Sequence, residues 1–136
     1  MVRDEAVNLR VNLPLWTLVA DAFVILVDER TVDDSKSVAT SILSKSKKSY
    51  VLADYKFSGF GQARTLSLSK TWEHFPNATH VLIADPDWKP DVSTIDLNDL
   101  DNSADVFRFT VFDRNGIYLF SYIFIKLIFL RPLLQE

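Results

Sequence analysis

The chain has 136 residues, of which 48% are hydrophobic, and it carries a formal net charge of -3 at pH 7 with three glycines and no cysteine. This composition predicts one globular domain or part of one and excludes disulfides and thiolate metal sites. The charge gives no general reason to expect nucleic-acid binding, which needs a basic surface, so a phosphate ligand would need local cations, a metal ion or helix N-termini. Residues 1–5 lack the apolar core of a signal peptide, which favours a cytoplasmic location.

The N-terminal segment combines helical spacing with a proline. Apolar residues recur at helical spacing between residues 5 and 19, with Asp4 available as an N-cap and Pro14 as a kink or an early stop. We therefore expect a helix over roughly the first half of this segment. The apolar run 22–27 that follows predicts a buried parallel strand, because such strands are covered on both faces.

The rest of the chain continues the alternation of helices and strands. Asp34 or Ser35 is placed to cap the next helix, and a later helix ends before Pro76. Strands that alternate with helices indicate an α/β fold with a parallel sheet and right-handed crossovers. The predicted elements are a helix at 36–45, a strand at 50–53, a helix at 62–75 and strands at 79–84 and 106–112.

Residues 117–130 form an almost entirely apolar segment, interrupted by Ser121 and Lys126. The segment is shorter than the roughly 18 apolar residues that a membrane-spanning helix needs. A buried strand or helix is the first interpretation. An interfacial segment that contacts a membrane surface and an aberrant terminus are the alternatives.

Charged side chains follow three of the predicted strands. Asp28 ends the first, Asp54 and the glycine-containing loop before Arg64 follow the second, and Asp85 and Asp87 follow the strand 79–84. The carboxyl ends of parallel strands share one edge, where ligands bind in open α/β sheets. Carboxylates suit a hard divalent cation, and an arginine suits a phosphate. The sequence therefore predicts a metal and diphosphate site.

Four sets of residues follow one another in a definite order along the chain. They are Arg3-Asp4-Glu5 with Asn8-Leu9, Val24-Ile25-Leu26-Val27-Asp28 with Thr31 and Asp33, Gly61-Gln62-Ala63-Arg64, and Val81-Leu82-Ile83-Ala84-Asp85-Pro86-Asp87. Their order and spacing resemble the family 2 glycosyltransferases of GT-A fold. That pattern runs from a Lys-Asn-Glu-like start through a Val-Asp-x-x-Ser/Thr-x-Asp loop and a Gly-x-x-x-Ala-Arg-Asn segment to a strand ending in Asp-x-Asp.

The resemblance implies a three-layer α/β/α, Rossmann-like fold with a mainly parallel sheet. It covers residues 1–116 as a partial nucleotide-sugar-binding domain and leaves 117–136 as an apolar tail outside the pattern. The fold is expected to be incomplete, because the first strand of the family should precede Arg3 and the acceptor half should follow Gly116. The chain is accordingly interpreted as a fragment, and no catalytic base is identified.

The resemblance also implies roles for individual residues. Asp28 meets the nucleotide base, Asp33 is the second acidic position of that loop, and Arg64 lies near the nucleotide and its phosphates. Asp85 lies near the ribose and the metal, and Asp87 binds the Mn or Mg ion that bridges the diphosphate.

The implied function is binding of a nucleotide-diphosphate sugar through a divalent cation, for glycosyl transfer to an unknown acceptor. Thr65 departs from the pattern by replacing an asparagine, and Glu29-Arg30 replace small residues. The alternative function is that of a truncated, non-catalytic α/β module for nucleotide binding or protein interaction.

Overall fold

The computed structural model describes residues 1–93, 95, 106–112 and 118–126. These residues form a mixed α/β arrangement with three helices, which confirms the α/β class in general terms. In chain order the elements are α1 (Ala6–Trp16), β1 (Ala22–Asp28), α2 (Ser35–Ser46), β2 (Ser49–Tyr55), α3 (Phe60–His74), β3 (His80–Leu82), β4 (Val106–Phe112) and β5 (Tyr118–Lys126).

The predicted parallel pairing is present between β1 and β2, whose register runs from Ala22 opposite Ser49 to Asp28 opposite Tyr55. Val2 forms a parallel bridge to Val27. The Val2 N–H donates to the Leu26 carbonyl at 2.8 Å, and the Val2 carbonyl accepts the Asp28 N–H at 2.9 Å. Backbone groups alternate in direction along a strand, so Val2 lies on the side of β1 opposite β2. A single residue thus pairs with the edge of β1 that faces away from β2.

The second sheet differs from the prediction. It is antiparallel, with β5 between β3 and β4, so the expected single, mainly parallel sheet is not the arrangement of the described strands. The strand predicted at 79–84 is only three residues long, and its Val81 pairs with Ile125 of β5. Apolar content predicts that a segment is a strand but not which neighbour it pairs with. The adjacent β4 and β5 pair antiparallel, and β3 joins them at the other edge of β5.

Helix α1 extends further than predicted. It continues through Pro14 and ends at Trp16. Proline removes one intrahelical hydrogen bond, but Leu9 and Leu13 bury one face of α1 in the core, at 3% and 5% exposure. The Thr17 hydroxyl also donates to the Pro14 carbonyl. Packing of the helix face therefore outweighs the loss of a single backbone bond.

The expected cap at Asp4 is also wrong. Glu5 occupies the N-cap position without a side-chain cap, and the Asp33 carboxylate accepts the Ala6 N–H at 2.9 Å. Asp4 itself has a φ of 52° and accepts the Val32 N–H at 2.8 Å. A capping group from a distant loop could not be read from the local sequence.

The remaining elements agree with the predictions within a few residues. The strand interpretation of the apolar C-terminal segment is confirmed over Tyr118–Lys126, where β5 pairs with β3 and β4. Residues 113–117 and the end of the apolar segment, 127–130, lie outside the described residues. Among the helices that the structure describes, none is long and apolar enough to cross a membrane.

The core lies on both faces of β1. Ile25 and Val27 belong to the cluster that includes α1 and α2 residues, with Leu43 fully buried. Leu26 points to the other face, where it packs with Tyr55 and Ala63 of α3. This sandwich fixes β1, and so it fixes the position of Asp28 at its carboxyl end.

Candidate functional site

Asp28 ends β1 with a buried carboxylate that is only 2% exposed. Both of its oxygens are bound by one guanidinium, with Arg30 Nε 2.9 Å from Oδ1 and Nη2 2.5 Å from Oδ2. The hydrogen bonds from Arg30 lower the pKa of Asp28 to about 2, against the opposing effect of burial. Asp28 therefore holds Arg30 in place, and the side chain that this strand end presents to solvent is the guanidinium.

The Phe57 ring lies beside Arg30 and contacts two further rings, Tyr55 and Phe60. We call these three residues the aromatic group. The Arg30 guanidinium lies 5.7 Å from the centre of the Phe57 ring, within the range of a cation–π contact. Phe57 meets Phe60 edge to face at 5.2 Å, and Phe60 is 65% exposed. Sequence reasoning missed this group, although a signal was present in the two phenylalanines that bracket Gly59 in the loop after β2.

Asp33 is the second predicted residue of the first loop, and its carboxylate joins the starts of two helices. It accepts the Ala6 N–H of α1 and the Ser35 N–H of α2, both at 2.9 Å, and it also accepts the Ser35 hydroxyl. These contacts lower the pKa of Asp33, with the Ser35 hydroxyl as the largest cause. The geometry assigns Asp33 a positioning role in the loop, and its predicted contact with a nucleotide stays a prediction.

Asp85 and Asp87 lie in a turn that is attached to α1. The Trp88 N–H donates to the Asp85 carbonyl at 3.1 Å and closes the turn. Asn12 Nδ2 donates to the Pro86 carbonyl at 2.9 Å, and Trp16 Nε1 donates to the Trp88 carbonyl at 3.1 Å. These two bonds fix the turn backbone, while both carboxylate residues stay exposed. The strand ends at Leu82, so the pair follows β3 by a short connection rather than directly.

Arg64 is an exposed residue of α3, one turn after Phe60 on the same helix. The charges of Arg64 and Asp85 both affect the pKa of the Met1 amino group. Burial lowers the pKa of the Met1 amino group, the charges of Asp85 and Glu5 raise it, and the charge of Arg64 lowers it. Met1 packs against the cluster that contains Ala63, the residue before Arg64, and lines the same cavity as Asp85. Helix α3 and the Asp85 turn therefore both approach the start of the chain. The Asp54 carboxylate pairs with Lys36 at 2.8 Å and so is directed to α2.

Asp85 and Asp87 are the two predicted metal ligands, and they lie in the same exposed turn. Within the described residues, no group of three or more His, Asp or Glu side chains is placed to hold a metal ion. Magnesium and manganese are commonly bound by one or two carboxylates together with the phosphates of the ligand. The exposed pair on an anchored turn fits that mode of binding.

We expect that Arg30→Gln will raise the pKa of Asp28 from about 2 toward its ordinary value of 3.8, because the largest cause of its lowering is removed. A depressed folded-state pKa stabilises the fold above the unfolded value, and this contribution is lost as the pH falls through the folded value. The stability difference between the two proteins should therefore be largest near neutral pH and shrink toward pH 2. A carboxyl NMR titration with urea unfolding measures both effects. An unchanged Asp28 titration in the variant would contradict this assignment.

Comparisons of the chain with protein-family models, with curated proteins and with solved structures gave no significant match.

Proposed function

We propose that this chain binds a nucleotide-diphosphate sugar through a divalent cation and serves glycosyl transfer to an acceptor, as the donor-binding part of a GT-A-like domain. The observation that carries the proposal is that Met1 packs against the cluster that contains Ala63, the residue before Arg64, and lines the same cavity as Asp85. An arginine and an Asp-x-Asp turn near one another supply the two kinds of group that a diphosphate needs, a cationic fork and a metal ligand set.

The diphosphate half of the site consists of exposed groups on anchored backbone. Asp85 and Asp87 would hold Mn or Mg together with the ligand's phosphate oxygens, and Arg64 would donate to the remaining oxygens. When bound, the cation neutralises the charge that develops on a leaving nucleoside diphosphate. The Asn12 and Trp16 bonds to the turn keep the carboxylates placed before the ligand arrives, which lowers the ordering cost of binding.

The base of the nucleotide is proposed to lie against the aromatic group. Phe60 is exposed and belongs to the same helix as Arg64, so one face of α3 connects the two halves of the site. Stacking on an aromatic ring suits any base. Arg30, held by Asp28, adds donors for base or phosphate oxygens. In this proposal Asp28 acts on the nucleotide through Arg30, which revises the direct contact implied by the family resemblance.

Calorimetric titration of the full chain with UDP and GDP, each with and without Mn, tests the proposal. We expect a dissociation constant below about 1 mM for at least one nucleotide, which corresponds to about 4 kcal/mol of binding free energy. Binding should require Mn, since the two carboxylates repel a diphosphate when no cation is present. UMP and GMP are the matched controls and should bind more weakly, because they lack the diphosphate. Absence of binding by both diphosphates at millimolar concentration would refute the proposal.

A further inference from the structure

The Arg30 guanidinium lies at the end of β1 with one of its edges bound to Asp28. Its Nε and Nη2 atoms donate to the two carboxylate oxygens at 2.9 and 2.5 Å. Nη1 and the second N–H of Nη2 make no hydrogen bond to any of the residues that the structure describes. The Arg30 side chain is 49% exposed, so the outer edge of the guanidinium presents two adjacent donors to solvent.

Asp28 offers no free acceptor beside these donors. Its carboxylate is 2% exposed, and its two oxygens accept three N–H groups of Arg30, the backbone N–H included. The guanidinium has no acceptor of its own, and its hydrogen bonds to Asp28 raise the pKa of Arg30 further, so it stays charged. A nucleobase that pairs with this strand end through the guanidinium must therefore present acceptors.

The bases differ in the edge that can meet two adjacent donors. Guanine presents O6 and N7 side by side as acceptors, and this pair is the commonest specific partner of an arginine fork. Adenine has an amino group, which is a donor, beside its N7. Uracil has a donor, N3–H, between its two carbonyl oxygens, and that donor would need an acceptor that Asp28 does not offer. Guanine is therefore the base whose edge matches the free edge of Arg30.

The aromatic group places a stacked base close to this free edge. Phe57 lies 5.7 Å from the Arg30 guanidinium and meets the exposed Phe60 edge to face at 5.2 Å, so Arg30 and Phe60 are neighbours of the same ring. Tyr55 meets Phe57 at 6.2 Å, and its hydroxyl donates to the Met1 sulfur at 3.0 Å. The aromatic group therefore extends from Arg30 to the start of the chain, which the proposed diphosphate site also approaches.

We propose that Arg30 determines base specificity and selects guanine by donating from the outer edge of its guanidinium to O6 and N7. This inference rests on the proposed function and narrows the donor to a guanosine-diphosphate sugar. Asp28 holds the guanidinium in one orientation, which lowers the ordering cost of a two-point contact. A good contact of this kind favours the correct base by roughly 5- to 150-fold in affinity.

Calorimetric titration of the full chain with Mn and a series of nucleoside diphosphates tests the proposal. GDP and IDP share O6 and N7, and we expect both to bind at least about tenfold more tightly than UDP and ADP. 7-Deaza-GDP, in which a carbon replaces N7, should bind about tenfold more weakly than GDP, because it loses one hydrogen bond to a charged donor.

The outcomes separate this inference from the proposed function. Mn-dependent binding in which GDP is no tighter than UDP, ADP or 7-deaza-GDP would leave the diphosphate site in place and overturn the selection of guanine. Absence of binding by every diphosphate would overturn the proposed function and this inference together.

Arg30→Lys tests the role of the fork directly, since it keeps the positive charge but replaces two adjacent donors with one ammonium group. We expect this variant to bind GDP about tenfold more weakly and UDP nearly as before, so that the preference for guanine is lost. Arg10→Lys is the matched control, because Arg10 pairs with Asp34 at an exposed position, and it should keep the preference. A full preference for guanine in folded Arg30→Lys would overturn the proposal. If this variant does not fold, the comparison of GDP with 7-deaza-GDP on the original chain decides.

Discussion

Replacing Leu26 with alanine should lower the free energy of unfolding by about 2 to 5 kcal/mol, the range observed when a buried leucine is truncated to alanine. Leu26 is 1% exposed and lies in β1 directly before Val27, the bridge partner of Val2, and two residues before Asp28. It packs with Tyr55 and Ala63 on the α3 face of the strand. The loss combines the transfer free energy of the removed methyl groups with the cost of the cavity they leave, and urea unfolding followed by circular dichroism measures it.

Leu18→Ala is the matched control, because it removes the same atoms from a side chain that is 69% exposed. Surface substitutions of this kind change stability by no more than about 0.5 kcal/mol. A Leu26→Ala protein as stable as the Leu18→Ala protein would show that the α3 face of β1 is not part of the core. Such a result would contradict the conclusion that the packing of β1 against α3 fixes the position of Asp28.

The strand β1 could be predicted from the sequence because its signal is local. An uninterrupted apolar run bounded by charged residues has few structural alternatives, and the structure places it at Ala22–Asp28 in parallel pairing with β2. The same reasoning predicted Asp28 and Arg64 as site candidates. The order of the elements alone indicates which residues lie at the carboxyl end of a strand and which residues belong to the helix that follows.

Other features depend on contacts between residues far apart in sequence. The partner of β3 is β5, more than 40 residues later, and nothing in the residues 79–84 indicates that choice. The capping of α1 by Asp33 likewise joins residues 27 positions apart. The pairing of Arg30 with Asp28 is local, but its importance depends on the burial of the carboxylate, and burial is a property of the folded chain. Local sequence therefore indicates where strands and helices lie better than it indicates which residues they contact.

Asp87→Asn should weaken Mn-dependent binding of the nucleoside diphosphate at least about tenfold, which corresponds to about 1.4 kcal/mol. The substitution keeps the size of the side chain but removes one of the two negative charges that the proposed cation site contributes. Asp87 is exposed, and the turn around it is held by backbone carbonyl bonds to Asn12 and Trp16. The variant should therefore fold like the original chain, so that a change in affinity reports on the cation.

Asp21→Asn is the matched control, since it neutralises an aspartate whose side chain is 99% exposed and whose nearest charged partner is Lys48. It changes the net charge by the same amount as Asp87→Asn, and any general electrostatic effect on an anionic ligand is common to both variants. Calorimetry at several Mn concentrations then separates the two contributions. Equal Mn-dependent affinity of the two variants would exclude Asp87 as a ligand of the cation, whereas a loss confined to Asp87→Asn supports the proposed diphosphate site.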